Sequence, residues 1–382
     1  MGKEHSPETK LIHAGEPRPR VEGAVVTPVF QSAMFEYAGE TGYHDLKYIR
    51  LNNTPNHVEL HAKLAALEGA ESALVTTSGM AAISTALLTL LRPGERLLAQ
   101  DGLYGGSHGL AVSDLAHLDI ACDFVPSDDP AAWRAAVRPE TRVFLLESLS
   151  NPLLTVPALE EVAPFAREHG LVTMIDNTFA TPLNLRPHEL GFDLVMNSAT
   201  KYLNGHSDIV AGALTGSKEM IERILHRLNH LGGSLDPHAC FLLARGMKTL
   251  GVRVPRHNES AMTIARWLAQ HPSVERVHYP GLESHPGHAR AKRLFRGFGG
   301  MLSFELKDGD AAHQMVTRMQ LFAQAPSFGG PESLITRPVT TTHVALTEEE
   351  RARFGIGENL VRASIGLEAV EDLIADLEQA MS

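Results

Sequence analysis

From Ser72 onward the chain alternates short, almost unbroken apolar runs with longer segments that carry apolar residues every three or four positions. The runs "SALVT" (72–76), "RLLAQ" (96–100), "DFVP" (123–126), "RVFLLE" (142–147), "VTMID" (172–176), "DLVMN" (193–197) and "IVAGAL" (209–214) predict seven strands. Strands this continuous are buried on both faces, which predicts a mostly parallel sheet covered by helices on each side. Helical spacing separates many of them, as in "GMAAISTALLTLL" (79–91) and "ALEEVAPFAREHG" (158–170). Upstream, "TPNHVELHAKLAALEGA" predicts a helix with Thr54 as N-cap, Pro55 in the first turn and Gly69 past the end.

The texture changes after about residue 245. "ESAMTIARWLAQH" (259–271) reads as helix, "VERVHY" (274–279) and "MLSFEL" (301–306) as strands. The chain closes on a helix with a Val370, Leu373, Ile374 and Leu377 stripe. The expected organisation is an irregular N-terminal segment (1–53), a large α/β domain (54–245) and a smaller α+β domain (246–382). A chain of 382 residues exceeds what one small core holds, in line with that division.

Charge narrows the partners. A formal net charge of −11 argues against nucleic acid or an anionic membrane surface, so an anionic ligand needs a local positive pocket. Two cysteines, Cys122 and Cys240, form no disulfide framework. No apolar stretch has the length of a membrane span and the start has no hydrophobic core, so the expectation is a soluble, cytoplasmic chain. The start also matches a loose N-myristoylation pattern through Gly2 and Ser6.

In doubly wound sheets ligands bind beyond the carboxyl ends of the strands. The residues just past each predicted strand are therefore the candidates. "SALVT" leads into "TSGMAAIS", where Ser78 opens a helix whose first N–H groups, at Gly79 and Met80, suit an anion. "RLLAQ" leads into a glycine-rich turn displaying Tyr104, and "RVFLLE" ends on Glu147 with Asn151 following in "SLSNP". "VTMID" ends on Asp176 with Thr178 next, and "DLVMN" runs into Ser198, Thr200 and Lys201. Taken singly, each has a plainer use: Asp176 can cap a turn and Lys201 can sit on the surface.

Together they meet the needs of pyridoxal phosphate. A lysine amine condenses with its aldehyde, a carboxylate keeps its pyridine nitrogen protonated, and hydroxyls with free N–H groups hold its phosphate. Lys201, Asp176, and Ser78 to Met80 with Ser198 and Thr200 supply these in turn, and Tyr104 supplies a ring to stack on the cofactor.

With these residues in place the chain resembles the PLP-dependent transsulfuration enzymes of cysteine and methionine metabolism. The likeness rests on "LIHAGE", "YIR", "SGMAAI", "LYGG", "ESLSNP", "IDNTF", "SATKYLNGHSD", "SFGGPESL" and "VRASIGLE", spread over nearly the whole chain. It implies a fold-type-I PLP enzyme acting on a small sulfur amino acid, assembled as a homotetramer built from dimers that share active sites. It further implies that Tyr48 and Arg50 reach a neighbouring subunit's cofactor phosphate, and that Arg362, with Ser327 and Asn151, clamps the substrate α-carboxylate. Tyr104 becomes the acid for the leaving thiol. Cystathionine γ-elimination is the expected activity, ahead of γ-replacement as in cystathionine γ-synthase, then of β-cleavage and methionine γ-cleavage.

Four local departures from the family pattern bear on substrate choice. "NTP" (Asn53 to Pro55) stands where the pattern has "NPT", Lys47 precedes Tyr48 where an acid is common, and Pro326 replaces a glutamate. Gly106 occupies the position where methionine γ-lyases carry cysteine, which disfavours that activity. A metal centre is the rival class, since the chain has 20 histidines, including His57 with His61 and His285 with His288. Neither pair has the glutamate placement or third ligand of a zinc site, so no metal is expected.

Overall fold

A computed structural model describes residues 5–341, 344 and 347–382; Gly2, and with it the myristoylation pattern, lies outside them. The seven strands of the larger sheet are β1 (Ser72–Thr76), β2 (Arg96–Gln100), β3 (Ala121–Val125), β4 (Thr141–Glu147), β5 (Val172–Asp176), β6 (Leu194–Asn197) and β7 (Gly212–Gly216). Their order is β1-β7-β6-β5-β4-β2-β3, with β7 alone running against its neighbours.

Alternate residues of these strands feed two separate cores, which is why the runs read as continuously apolar. Leu98, Phe144, Leu146, Ile175 and Val195 face one side, packing with Trp133 and Phe165. Leu97, Ala99, Val143, Leu145, Met174 and Leu194 face the other, against helices Gly79–Leu90 and Lys218–Leu231. Trp133, Phe144 and Phe165 meet edge to face at 5.1 to 5.7 Å between ring centres, a favoured aromatic geometry.

The second sheet is smaller: β8 (Val274–His278), β9 (Met301–Leu306), β10 (Ala323–Gln324), β11 (Leu334–Thr336) and β12 (Leu360–Ser364), in the order β10-β11-β12-β9-β8. Helices Leu250–Leu268, Gly309–Arg318 and Val370–Met381 cover it. The predicted stripe on the last helix supplies Leu373 and Leu377 to this core.

Two elements depart from the sequence reading. The run at 209–214 pairs only from Gly212, because both backbone groups of Ala211 bond to Thr200 instead of a ladder partner. Helix Leu250–Leu268 starts nine residues before the predicted segment and continues through Pro255. The extra turns bury Arg253, Val254 and His257, burial that the proline obscures in the sequence. Helix Pro55–Glu68 forms as predicted and ends at Gly69 in the left-handed region, but the Thr54 hydroxyl bonds to His57 Nδ1 at 2.7 Å rather than capping the backbone.

Candidate active site

A cleft of about 420 Å³ opens at the carboxyl ends of β4, β5 and β6 and is closed over by residues before and within β12. It gathers Ser78, Gly79, Met80, Tyr104, Asn151, Asp176, Thr178, Ser198, Thr200, Lys201, Ser327 and Arg362 from positions up to 284 residues apart (362 − 78). Twelve of the fourteen residues singled out from the sequence therefore line one cavity.

Lys201 follows β6 in the turn that leads to β7. Its Nζ donates to Ser327 Oγ at 2.7 Å and lies 5.2 Å from the Phe328 ring centre. Burial, with Arg362 nearby, lowers its pKa to about 8, so a sizeable fraction is the neutral amine near physiological pH. The turn is fixed from behind. Arg253 donates to the Tyr202 and Gly246 carbonyls, both at 2.8 Å. Gly205, at φ +69°, leaves room for that guanidinium: a Cβ there would sit 1.8 Å from Arg253 Nη1.

Asp176 ends β5 and accepts at Oδ1 from both the N–H (2.9 Å) and the hydroxyl of Thr178. Thr178 Oγ1 in turn accepts from Ser198 N–H at 2.7 Å, which locks the ends of β5 and β6 together. Burial raises the Asp176 pKa against the pull of the Thr178 bonds. A half-buried carboxyl with Oδ1 spoken for and Oδ2 making no hydrogen bond among the described residues suits a cationic N–H such as a protonated pyridine.

The helix beginning at Gly79 is capped by Ser78, whose hydroxyl accepts from Ala81 N–H at 3.0 Å. That leaves the N–H groups of Gly79 and Met80 without intrahelical partners, at the positive end of the helix. Gly79 lies against Ser198, where a Cβ would come within 3.0 Å of the serine Cβ, so helix start and Ser198 hydroxyl form one anion cradle. Thr200 lines the cleft too, but its hydroxyl already donates to Ala211 O at 3.1 Å.

Arg362, on β12, is 4% exposed and donates to Asn151 Oδ1 at 3.0 Å and to the Ser327 carbonyl at 3.4 Å. Its guanidinium has no carboxylate partner among the described residues, and burial lowers its pKa to about 10. An uncompensated buried cation is a carboxylate receptor.

Tyr48 and Arg50 are the two that stay away. Arg50 donates to the Asn229 carbonyl at 2.6 Å and to the Tyr43 hydroxyl, and it packs on the rings of Tyr43 and Tyr48. The histidine pairs are also accounted for. His57 bonds to Thr54 and to the Leu235 carbonyl, while burial pushes its pKa to about 4 and that of its neighbour His61 to about 3. His285 accepts from Gly287 N–H, His288 Nδ1 pairs with the Pro280 carbonyl, and no three-ligand group occurs among the described residues.

A family model described as Cys/Met metabolism PLP-dependent enzyme matches residues 8–382. The chain belongs to that family. Pyridoxal phosphate is thus its cofactor, and carbon–sulfur chemistry of the transsulfuration type its activity class. Within the family it is 43% identical to an L-methionine gamma-lyase from Pseudomonas putida, over 98% of this chain and 96% of the relative. It is 41% identical to a cystathionine beta-lyase from Coxiella burnetii, covering 98% and 97%. Its fold matches a cystathionine gamma synthase from Xanthomonas oryzae pv. oryzae with a TM-score of 0.95 at 38% identity, over 99% and 98% of the two chains. A cystathionine gamma-lyase from Lactobacillus plantarum matches at a TM-score of 0.93 and 35% identity, over 98% of each chain.

Three contributors escaped the sequence reading. Arg253 lies in the helical segment that Pro255 hid, and Phe328 stacks on Phe179 at 4.6 Å beneath the lysine. Glu147 was legible as a strand end but was given no part to play.

Proposed function

We propose that this enzyme cleaves cystathionine on the γ side, giving cysteine, 2-oxobutanoate and ammonia. The observation that carries the carbon–sulfur lyase reading is Lys201, an amine with pKa about 8, held 2.7 Å from Ser327 and near the Arg362 guanidinium, which has no carboxylate partner among the described residues. Arg362 and Asn151 grip the substrate α-carboxylate, which presents the α-proton to the Lys201 amine as base. Bound pyridoxal phosphate supplies the electron sink that makes protons on the α and β carbons acidic. Asp176 holds the ring nitrogen, Ser78 to Met80 with Ser198 hold the phosphate, and Tyr104 protonates the departing sulfur.

Support for a long substrate comes from a neighbouring cleft of about 550 Å³ that shares Asn151. It presents Asp101, His108, Asp128, Glu350 and Arg353, a mixed set suited to the zwitterionic far end of cystathionine. Methionine has no such end. Gly106 also bears on methionine: a Cβ there would approach the Tyr104 ring to 2.6 Å and Met80 Sδ to 2.9 Å, so no cysteine fits without moving Tyr104.

Tyr48 and Arg50 act across a subunit interface in this reading. Their segment exposes Val25, Val26, Met34 and Tyr37, apolar surface that a second subunit would cover. The assembly is then a homotetramer built from two such dimers, in the cytoplasm.

Incubating the holoenzyme separately with cystathionine, methionine and an activated homoserine ester plus cysteine tests the proposal. The expected products are 2-oxobutanoate and cysteine from cystathionine. Pyruvate alone would defeat γ-cleavage, and cystathionine formed from the ester would establish γ-replacement instead.

A further inference from the structure

Glu147 and Asp176 are register partners at the carboxyl ends of the parallel strands β4 and β5. Both line the active-site cleft, and Glu147 is only 3% exposed. A buried carboxyl and a half-buried one on paired strand ends resist ionising together, because each charge penalises the other in a medium that screens poorly.

Their partners decide which one keeps the proton. Asp176 accepts two bonds from Thr178 at Oδ1. Glu147 accepts one, from the Tyr104 N–H to Oε1 at 2.6 Å, and its buried Oε2 has no hydrogen-bond partner among the described residues. Among the described residues no cation offsets it: the groups that act on it are Asp176 and the Tyr104 N–H. Burial and Asp176 together push its pKa far above the ordinary carboxylic range.

We propose that Glu147 is a neutral positioning residue: it fixes the Tyr104 backbone through Oε1 and carries its proton on Oε2, so that Asp176 alone is anionic at the paired strand ends. Tyr104 needs such an anchor. Its side chain is 47% exposed, and it stands at the junction where helix Gly105–Gly109 begins. The backbone bond to Glu147 is what ties that junction to the sheet. A neutral acid also leaves the field at the cofactor's ring nitrogen set by one carboxylate rather than two. The inference rests on the cofactor placement proposed above but not on which sulfur amino acid is cleaved.

The test compares Glu147→Gln and Glu147→Leu in the holoenzyme. Glutamine keeps an acceptor for Tyr104 and a donor where the proton sat. It should leave kcat within about threefold, and the pH midpoint of the cofactor's visible absorption unchanged. Infrared difference spectra should show a protonated-carboxyl stretch at and above neutral pH that Glu147→Gln removes. Leucine, which releases Tyr104, should lower kcat by about 10²-fold while KM changes little. A shifted absorption midpoint in Glu147→Gln, no carboxyl stretch in the parent, or an undiminished kcat in Glu147→Leu would each overturn the proposal. If the leucine variant fails to fold, the glutamine spectra still decide. Only kcat and KM depend on the substrate, so a failed cystathionine assay leaves the absorption and infrared readouts interpretable.

Discussion

Lys201 Nζ donates to Ser327 Oγ at 2.7 Å, joining a turn of the large sheet to a segment that belongs with the small one. In the proposed site the contact holds the amine where the Arg362 clamp would place a substrate. Ser327→Ala should lower kcat about tenfold, the weight of one hydrogen bond to a charged group, with cofactor affinity little changed. Borohydride reduction of the holoenzyme followed by peptide mapping should place the label on Lys201. A label elsewhere would remove the basis of the proposed chemistry.

In the proposed chemistry Arg362 grips the substrate α-carboxylate. Arg362→Lys keeps the charge but loses the planar fork, and should raise KM between about 10- and 100-fold. Steady-state kinetics on cystathionine check this. Arg353→Ala, in the adjoining cleft, should raise KM for cystathionine and leave a short substrate such as cysteine unaffected.

Arg50 tests the shared-site arrangement. Arg50→Ala and Lys201→Ala should each be inactive, but unfolding and refolding them together should recover about a quarter of the parent activity. That yield follows because half of random dimers are mixed, and each mixed dimer has one intact site. No recovery would mean that Arg50 serves its own subunit or none.

Acid should weaken the fold through the buried histidines. Unfolded histidine titrates near 6.5, while burial lowers the pKa of His57, His257 and His285 to about 4 and of His61 to about 3. Between those values the unfolded chain binds more protons, so stability falls as pH drops from 6.5 toward 4. Each group contributes about 1.4 kcal/mol per pH unit in that window. Denaturant titrations over this range should show the loss, and His61→Phe should make it shallower.

Gly205→Ala should destabilise the lysine turn, since a Cβ would press on Arg253 at a left-handed backbone position. A cost of about 2 kcal/mol is expected, seen as a lower midpoint in urea.

Much of this molecule could be read from its sequence because strand ends carry both kinds of signal. Asp176 closes one apolar run and Lys201 follows four residues past another, so the pattern that marks the strand also points to the residues at and beyond its end. Arg362 and Ser327 had no such marker; they lie on and before β12, in the other sheet, and only family likeness pointed to them. Arg253 was invisible because Pro255 argued against the helix that carries it. Glu147 was visible as a position but not as chemistry, since its proton depends on a neighbour one strand over.

Lys201 follows a strand of the larger sheet and Arg362, the proposed carboxylate clamp, lies on the smaller one; His257 of helix Leu250–Leu268 and Phe328 both pack on Tyr202 at the seam between them. Catalysis here is therefore hostage to how two bodies dock. Substitutions that loosen that seam far from any substrate should silence the enzyme while spectroscopy still reports a folded chain.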